Sequence, residues 1–258
     1  MNWSDDGARI SCVMVTANRA ALARRAVDCF LRQTWRNREL VVVDDGTQDY
    51  TPLFAAIPAD RLIYDRVAKT PDNTLGRLRN RSLDRATGAI VAQWDDDDWY
   101  HPERLARQAA VLTGGKGACV LRGTLMHLDA PGWFDHPYVG TLEPGVPGSI
   151  VHLADPTARY PEKRRGEDTD FLHHWPREAI GVLDSPGLFV RAFHGSNTWE
   201  RDHFERRVRN TPAAAIEYAL RRLLPGGVWR HSRFRLDAAT RAAFTAFVAD
   251  SRAAGVFA

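Results

Sequence analysis

Cysteine is scarce and unpatterned. Cys12, Cys29 and Cys119 are the only three; they fall in apolar or helical contexts, and no pair has the spacing of zinc ligands. An odd, scattered set predicts reduced thiols and a cytoplasmic protein. Lysine is equally rare: Lys69, Lys116 and Lys163 are the whole complement among 35 basic residues. Genomic base composition accounts for such a bias, although arginine is also the better bidentate partner for diphosphate and carboxylate. No run approaches the ~18 to 20 apolar residues of a transmembrane segment. The opening 1–6 is polar with no long apolar stretch behind it, which predicts no signal peptide. In that setting the sequons at Asn2 and Asn80 carry no expectation of a glycan. A formal charge of +3 is too small to make nucleic acid the main partner. Apolar residues, 44% of the total, suffice for one large domain, or one domain with an appended segment.

Short apolar runs alternate with helical periodicity through the first half. The pattern predicts strands at 10–15, 40–43, 61–67 and 89–94, and helices at 20–33, 73–86 and 102–112. Gly88 suits a helix-terminating turn, and Pro102 a helix start. Such alternation predicts an α/β fold: an open, mostly parallel, Rossmann-like sheet with helices on both faces. Ligands of these sheets bind beyond the carboxyl ends of the strands. Three polar motifs fall there: Thr16-Ala17-Asn18-Arg19, Asp44-Asp45-Gly46-Thr47, and four consecutive aspartates, Asp95 to Asp98.

The second half is less regular. Strands are predicted at 118–128, 149–153 and 188–193, and a helix at 168–175. The glycine- and proline-rich stretch 140–148 and the proline- and charge-rich stretch 155–166 read as mobile loops able to cover a site. Helices over 211–224 and 236–253 close the chain, the second with Asp237 near its start. No internal repeat or linker divides it. Residues 1–210 read as one domain, with halves near 1–115 and 116–210, and 211–258 as a helical segment packed on it.

Four adjacent carboxylates at the end of a buried strand repel one another, so positive charge must sit among them. Oxygen-only ligands favour a hard divalent cation, Mg²⁺ or Mn²⁺, over zinc or copper. Acids also stabilise helix N-termini, but four in succession exceed what capping requires. The loop lacks the central glycine and distal glutamate of an EF-hand. A metal at this place in an α/β chain points to a phosphorylated ligand. Asp44 and Asp45 can accept hydrogen bonds from a nucleobase or ribose, or simply form an Asp-Gly turn. Asp168 suits a general base with Glu167 beside it, or both cap a helix. Arg164 and Arg165 precede them on the predicted lid. His194 is a further candidate metal ligand or a loop histidine with structural bonds only. Trp99 and Trp199 offer flat faces to a sugar ring, or pack in the core.

Several segments in order resemble the family-2 glycosyltransferases, which use the GT-A fold. Ile10-Ser-Cys-Val-Met-Val-Thr-Ala-Asn-Arg19 is similar to that family's opening strand and nucleotide loop. Glu39-Leu-Val-Val-Val-Asp-Asp-Gly-Thr-Gln-Asp49 resembles its second strand and acidic turn. Gly76-Arg-Leu-Arg-Asn80 and Gly88 through Pro102 resemble its Arg-Asn helix, fourth strand and DxD motif. Arg165-Gly-Glu-Asp-Thr-Asp-Phe-Leu172 is similar to its Glu-Asp acceptor motif. The resemblance covers about residues 10–200.

What it implies is specific. Asp45 would hold the base, with Thr16, Asn18 and Arg19 near ribose and base, and Arg79 as a base or phosphate contact. Asp97 aligns with the metal-binding aspartate; Asp95 and Asp96 meet ribose or metal-bound water. Glu167, Arg165 and Trp99 would face the acceptor, and Asp168 would take its proton. The implied enzyme is metal-dependent and inverting. It would move a sugar from a UDP-, dTDP- or GDP-linked donor to a hydroxyl acceptor such as a glycan or glycolipid precursor. A cytoplasmic location follows, with a peripheral position at the inner membrane face left open. Nucleotidyl transfer would call for a glycine-rich, lysine-containing phosphate loop where Thr16-Ala-Asn-Arg19 stands. A non-catalytic sugar- or cation-binding scaffold has no need of Asp97 and Asp168 together.

Overall fold

A computed structural model describes residues 7–197 and 199–257; the opening 1–6, with the sequon at Asn2, lies outside the described residues. The first strand, β1 (Ile10–Thr16), leads into helix α1 (Ala20–Leu31), and β2 (Arg38–Asp44) and β3 (Leu62–Arg66) follow. Then come α2 (Leu75–Arg85), β4 (Ile90–Gln93), the two-residue β5 (Trp99–Tyr100) and α3 (Arg104–Thr113). Two long strands, β6 (Ala118–Leu128) and β7 (Tyr138–Leu153), are followed by α4 (Glu167–Leu172), β8 (Ile180–Leu183) and β9 (Phe189–Phe193). Helices α5 (Arg201–Arg206), α6 (Pro212–Arg221) and α7 (Ala238–Ala253) end the chain.

Among the described residues the strands form one sheet in the order β3-β2-β1-β4-β7-β6-β9-β5, with β8 also paired to β6. The strands β3, β2, β1 and β4 run parallel. By contrast, β7 is antiparallel to both β4 and β6. This is the expected α/β architecture, parallel through β3, β2, β1 and β4 and mixed beyond them.

The parallel strands are buried on both faces, which is why they read as unbroken apolar runs rather than alternation. Cys12, Met14, Leu40, Val42, Ile90 and Ala92 point to one side, where Ala23, Val27 and Phe30 of α1 and Phe247 of α7 cover them. Their neighbours Val13, Val41 and Val91 point to the other, against Leu83 near the end of α2. Side-chain oxygens cap the helix starts: Thr74 accepts from Arg77 N at 3.2 Å, and Asp237 from Thr240 N at 2.6 Å.

One expected loop is strand. Residues 140–148 lie inside β7. Their glycines serve close packing: a Cβ on Gly145 would stand 2.3 Å from Val120 Cγ2. Register shifts on β6 between Cys119 and Leu121 and between Leu121 and Gly123 absorb the irregular segment. The other expected loop, 155–166, is irregular as predicted, yet docked. A Cβ on Gly76 would lie 1.9 Å from Pro161 O, and Gly76 N donates to Lys163 O at 3.1 Å. Asn80 clamps Tyr160 from both sides, Nδ2 donating to its carbonyl and Oδ1 accepting from its amide, each at 2.8 Å. Helix α4 stops at Leu172 rather than continuing to 175.

Candidate functional site

The parallel register fixes where the polar motifs meet. Thr16 pairs with Asp44 and Val13 with Gln93, so the residues after β1, β2 and β4 share one sheet edge. Helix α2 and the 160–166 segment wall it on one side. Between them opens a cleft of about 730 Å³ lined by Thr16, Asp45, Lys69, Asn73 and Arg164. Val15, Arg19, Leu75, Arg164 and Arg165 join it to a smaller cavity of about 100 Å³. The smaller cavity holds the four aspartates, Arg79, Glu167, Asp168, Arg191, Trp199 and Phe204.

The quartet's charge is met by protein cations. Asp95 Oδ1 accepts from Arg79 Nη2 at 2.7 Å and Oδ2 from Gln93 Nε2 at 3.0 Å. Asp96 accepts from Thr16 Oγ1 at 2.7 Å and pairs with Arg19 Nη2 at 2.6 Å. Asp97 Oδ2 lies 3.0 Å from Arg19 Nη1 and 3.4 Å from His194 Nε2. Burial works against the charge of Asp96, Asp97 and Asp98 alike, and their differing cationic neighbours set them apart. Desolvation pushes Asp96 up to about 7 despite Arg19 and Thr16. Burial and the neighbouring Asp97 also raise Asp98. At Asp97 burial opposes the charge, but His194, Arg19 and Arg191 outweigh it and hold the carboxyl below its usual range. Of these three acids, Asp97 is the one whose charge its surroundings favour.

Arg79 joins the quartet to the second acidic motif. Only 6% exposed, its guanidinium reaches Asp95 on one side and, through Nε, Glu167 Oε1 at 3.2 Å on the other. Burial works against its charge, yet Asp95 and Glu167 more than offset this and raise its pKa. Burial raises Glu167 in turn, with Arg79 opposing. Asp168 Oδ1 accepts from Thr169 N at 2.8 Å. Its other oxygen faces the cavity: a Cβ on Gly148 would stand 3.7 Å from both Asp168 Oδ2 and Asp95 Oδ2. Glycine at 148 leaves the space between the two acids open.

Not every expected residue faces this space. Trp99 is a correction: it is 1% exposed and its Nε1 donates to Asp250 at 2.6 Å, so its ring offers no face to an acceptor. Asp44 is another. It is fully buried, with Oδ1 accepting from Gly46 N and Oδ2 from the Tyr64 hydroxyl, both at 2.7 Å; it builds the turn that presents Asp45. Asn18, exposed and in the left-handed region at φ 54°, spends Oδ1 on Thr47 N and Gln48 N at 2.8 and 3.0 Å. It pins the acidic turn and lines neither cavity. Asp45 does stand in the cleft wall, 3.3 Å from Asn73 Nδ2. Arg165 lies 5.7 Å over the ring of Trp199, which also stacks on His203 at 4.4 Å. Tyr50, Gln93, Gly148 and Arg191 are parts that sequence reasoning missed. Tyr50 accepts from Arg19 N at 2.7 Å and lies 3.2 Å from Thr16 Oγ1. Each stands outside the acidic motifs, and only the fold brings it in.

Asp97 and His194 are a mixed oxygen–nitrogen pair: the carboxylate suits Mg²⁺ or Mn²⁺ and the imidazole a softer first-row ion, so of the two Mn²⁺ is the better fit. Among the described residues no three His, Cys, Asp or Glu side chains are disposed to enclose an ion. An ion held at this pair would therefore take its remaining ligands from water and phosphate. Arg19 competes for Asp97 in the structure described here.

Solved structures share this architecture. S. aureus TarS 1–349 in complex with UDP aligns with a TM-score of 0.56 at 17% identity, over 95% of this chain and 80% of that one. The mannosyltransferase PcManGT from Pyrobaculum calidifontis, in complex with GDP-Man and Mn²⁺, aligns at 0.54 and 17%, over 97% and 76%. The fold is thus of the GT-A class. Residues 11–144, just over half of the chain, match the model of Glycosyl transferase family 2, and the chain belongs to that family. The uncharacterized glycosyltransferase YwdF of Bacillus subtilis is 27% identical over 219 residues, 82% of this chain and 74% of that protein. Other curated relatives are longer: the chain spans 27% to 31% of the length of three of them.

Proposed function

We propose that this chain transfers a sugar from a nucleoside-diphosphate donor to a hydroxyl acceptor with inversion at the anomeric carbon. One observation carries the proposal: Arg79 ties Asp95 to Glu167, so the aspartate quartet and the Glu-Asp helix open on one cavity. The larger cleft suits the nucleoside, with Asp45 and Asn73 as polar contacts. TarS and PcManGT, of like fold, hold UDP and GDP-Man, which supports a nucleotide-sugar donor. Arg164, Arg165 and Arg191 line the cavity and suit a diphosphate's charge. A divalent cation held by Asp97 and His194 would neutralise charge on the departing diphosphate.

The remaining chemistry belongs to side chains. Asp168 Oδ2 accepts the acceptor's hydroxyl proton. The acceptor oxygen forms a bond to the anomeric carbon while the carbon–phosphate oxygen bond breaks, its electron pair leaving with the diphosphate. Glu167, neutralised by Arg79, orients the acceptor beside the base. Trp199, 37% exposed at the cavity wall, gives the sugar an apolar edge beside Arg165. The test is a pair of variants. Asp97→Ala and Asp168→Asn each abolish transfer, while Asp168→Asn retains donor affinity; unimpaired turnover in Asp168→Asn removes the assigned base.

A further inference from the structure

The surface beyond the cleft is unbalanced in two ways. Helix α6 and the turn after it direct Ile216, Leu220, Leu223 and Leu224 outward, 63%, 56%, 84% and 51% exposed. Ile216 and Leu220, four apart, share one face of α6, and Leu223 and Leu224 follow in the turn that continues it past Arg221. Isolated apolar residues on a surface are ordinary, whereas a contiguous group marks an interaction site. The surroundings are basic: residues 206–235 hold eight arginines and one acid, Glu217, a formal +7 in a chain whose total is +3. The rest of the molecule is therefore net acidic. Glu217 is engaged by Ser232, whose amide and hydroxyl reach it at 2.9 and 2.6 Å. Arg222, Arg230 and Arg235 are exposed and form no ion pair among the described residues.

This face is held firmly. Thr211 caps α6 by accepting from Ala214 N at 3.3 Å. On the inner side Tyr218 packs against the buried cluster that includes Met126, Tyr138 and Phe204. Phe204 also lines the small cavity, so the exposed face and the cleft share a wall.

We infer that the α6 face seats on an anionic phospholipid surface. Its leucines and isoleucine enter the boundary between headgroups and acyl chains, and the arginines around them meet lipid phosphates. A second copy of the chain is a poorer fit. A twofold contact sets the same patch against itself and would oppose two arginine clusters, whereas a negative membrane complements them. This surface does not depend on the sugar-transfer proposal.

The test is sedimentation of the full chain with vesicles of phosphatidylcholine containing roughly one third phosphatidylglycerol, beside pure phosphatidylcholine vesicles. The chain sediments with the anionic vesicles, not with the neutral ones, and is released by high salt. Leu223→Ser, at a site too exposed to unsettle the fold, keeps the wild-type melting temperature and loses about tenfold of its partitioning. Wild type that stays in the supernatant, or equal sedimentation of Leu223→Ser, overturns the inference. So does a dimer by light scattering that Leu223→Ser dissolves without any vesicle binding, which would assign the face to a second copy.

Discussion

Replacing Arg79 with Met leaves the length of the side chain in place and removes only the guanidinium. In the wild type that group stands 2.7 Å from Asp95 and 3.2 Å from Glu167, and it is 6% exposed. Breaking a buried pair strands the partner charge, at a cost of about 3–5 kcal/mol. Arg81 is the control. It bonds Asp65 at 2.8 Å but is 45% exposed at the side chain, and Arg85 reaches the same carboxylate. Arg81→Met should therefore cost less than ~1 kcal/mol. The Arg79 loss also depends on pH. Burial already raises Glu167, and Arg79 is the main influence opposing it. A carboxyl whose folded pKa lies above its unfolded value loses stability as pH rises through both values. Without Arg79 that rise is steeper, so the gap from wild type is widest near pH 8 and narrows near pH 5. Adding Glu167→Gln to Arg79→Met removes one stranded charge, and the double-mutant cycle yields a coupling of about 1–3 kcal/mol. Urea unfolding followed by tryptophan fluorescence measures all four proteins, with the slope checked for constancy. An Arg79→Met variant as stable as Arg81→Met, or a gap that does not change with pH, refutes the bridging role.

Gly76→Ala forces a methyl group into the Pro161 carbonyl, 1.9 Å from the position it would take. It should cost about 1–3 kcal/mol and speed proteolysis within residues 160–166, as mass spectrometry of the fragments would show. Trp99→Phe removes the 2.6 Å bond to Asp250. A loss of about 1–3 kcal/mol in unfolding free energy with unchanged nucleotide affinity by titration calorimetry confirms that the ring is structural. His127 is fully buried among Phe134, Phe244, Phe247 and Phe257, and burial lowers its pKa from 6.5 to about 4, with the Phe134 backbone opposing. Its contribution to stability is intact above pH 6.5 and is lost as pH falls through 4. His127→Phe should flatten the acid side of the pH–stability curve by roughly 3 kcal/mol, measured as denaturant midpoints across that range.

The parallel half of the sheet was legible because strands buried on both faces must be continuously apolar, and β1, β2 and β4 are. Acid clusters at their carboxyl ends were equally visible, since no core strand tolerates them further in. The Gly-Pro stretch 140–148 misled because glycine signals a turn and close strand packing alike, and only the position of Val120 separates the two. The direction of Trp99 was hidden for a similar reason. An aromatic after the quartet packs inward or outward according to its partner, and Asp250 lies 151 residues away. The Asp95–Arg79–Glu167 bridge joins three segments that sequence spacing cannot connect. Asp44 and Asn18 had the right address but spend their oxygens on the turn, which is a matter of rotamer rather than residue type.

The most direct measurement is release of nucleoside diphosphate from a panel of UDP-, dTDP- and GDP-linked sugars with Mn²⁺, comparing wild type with Asp168→Asn. Wild type should cleave at least one donor, and the variant should bind that donor with similar affinity while releasing almost nothing. Equal release by both proteins, or a cleft that binds none of these donors, contradicts the assignment of the joined acidic motifs as the transfer site.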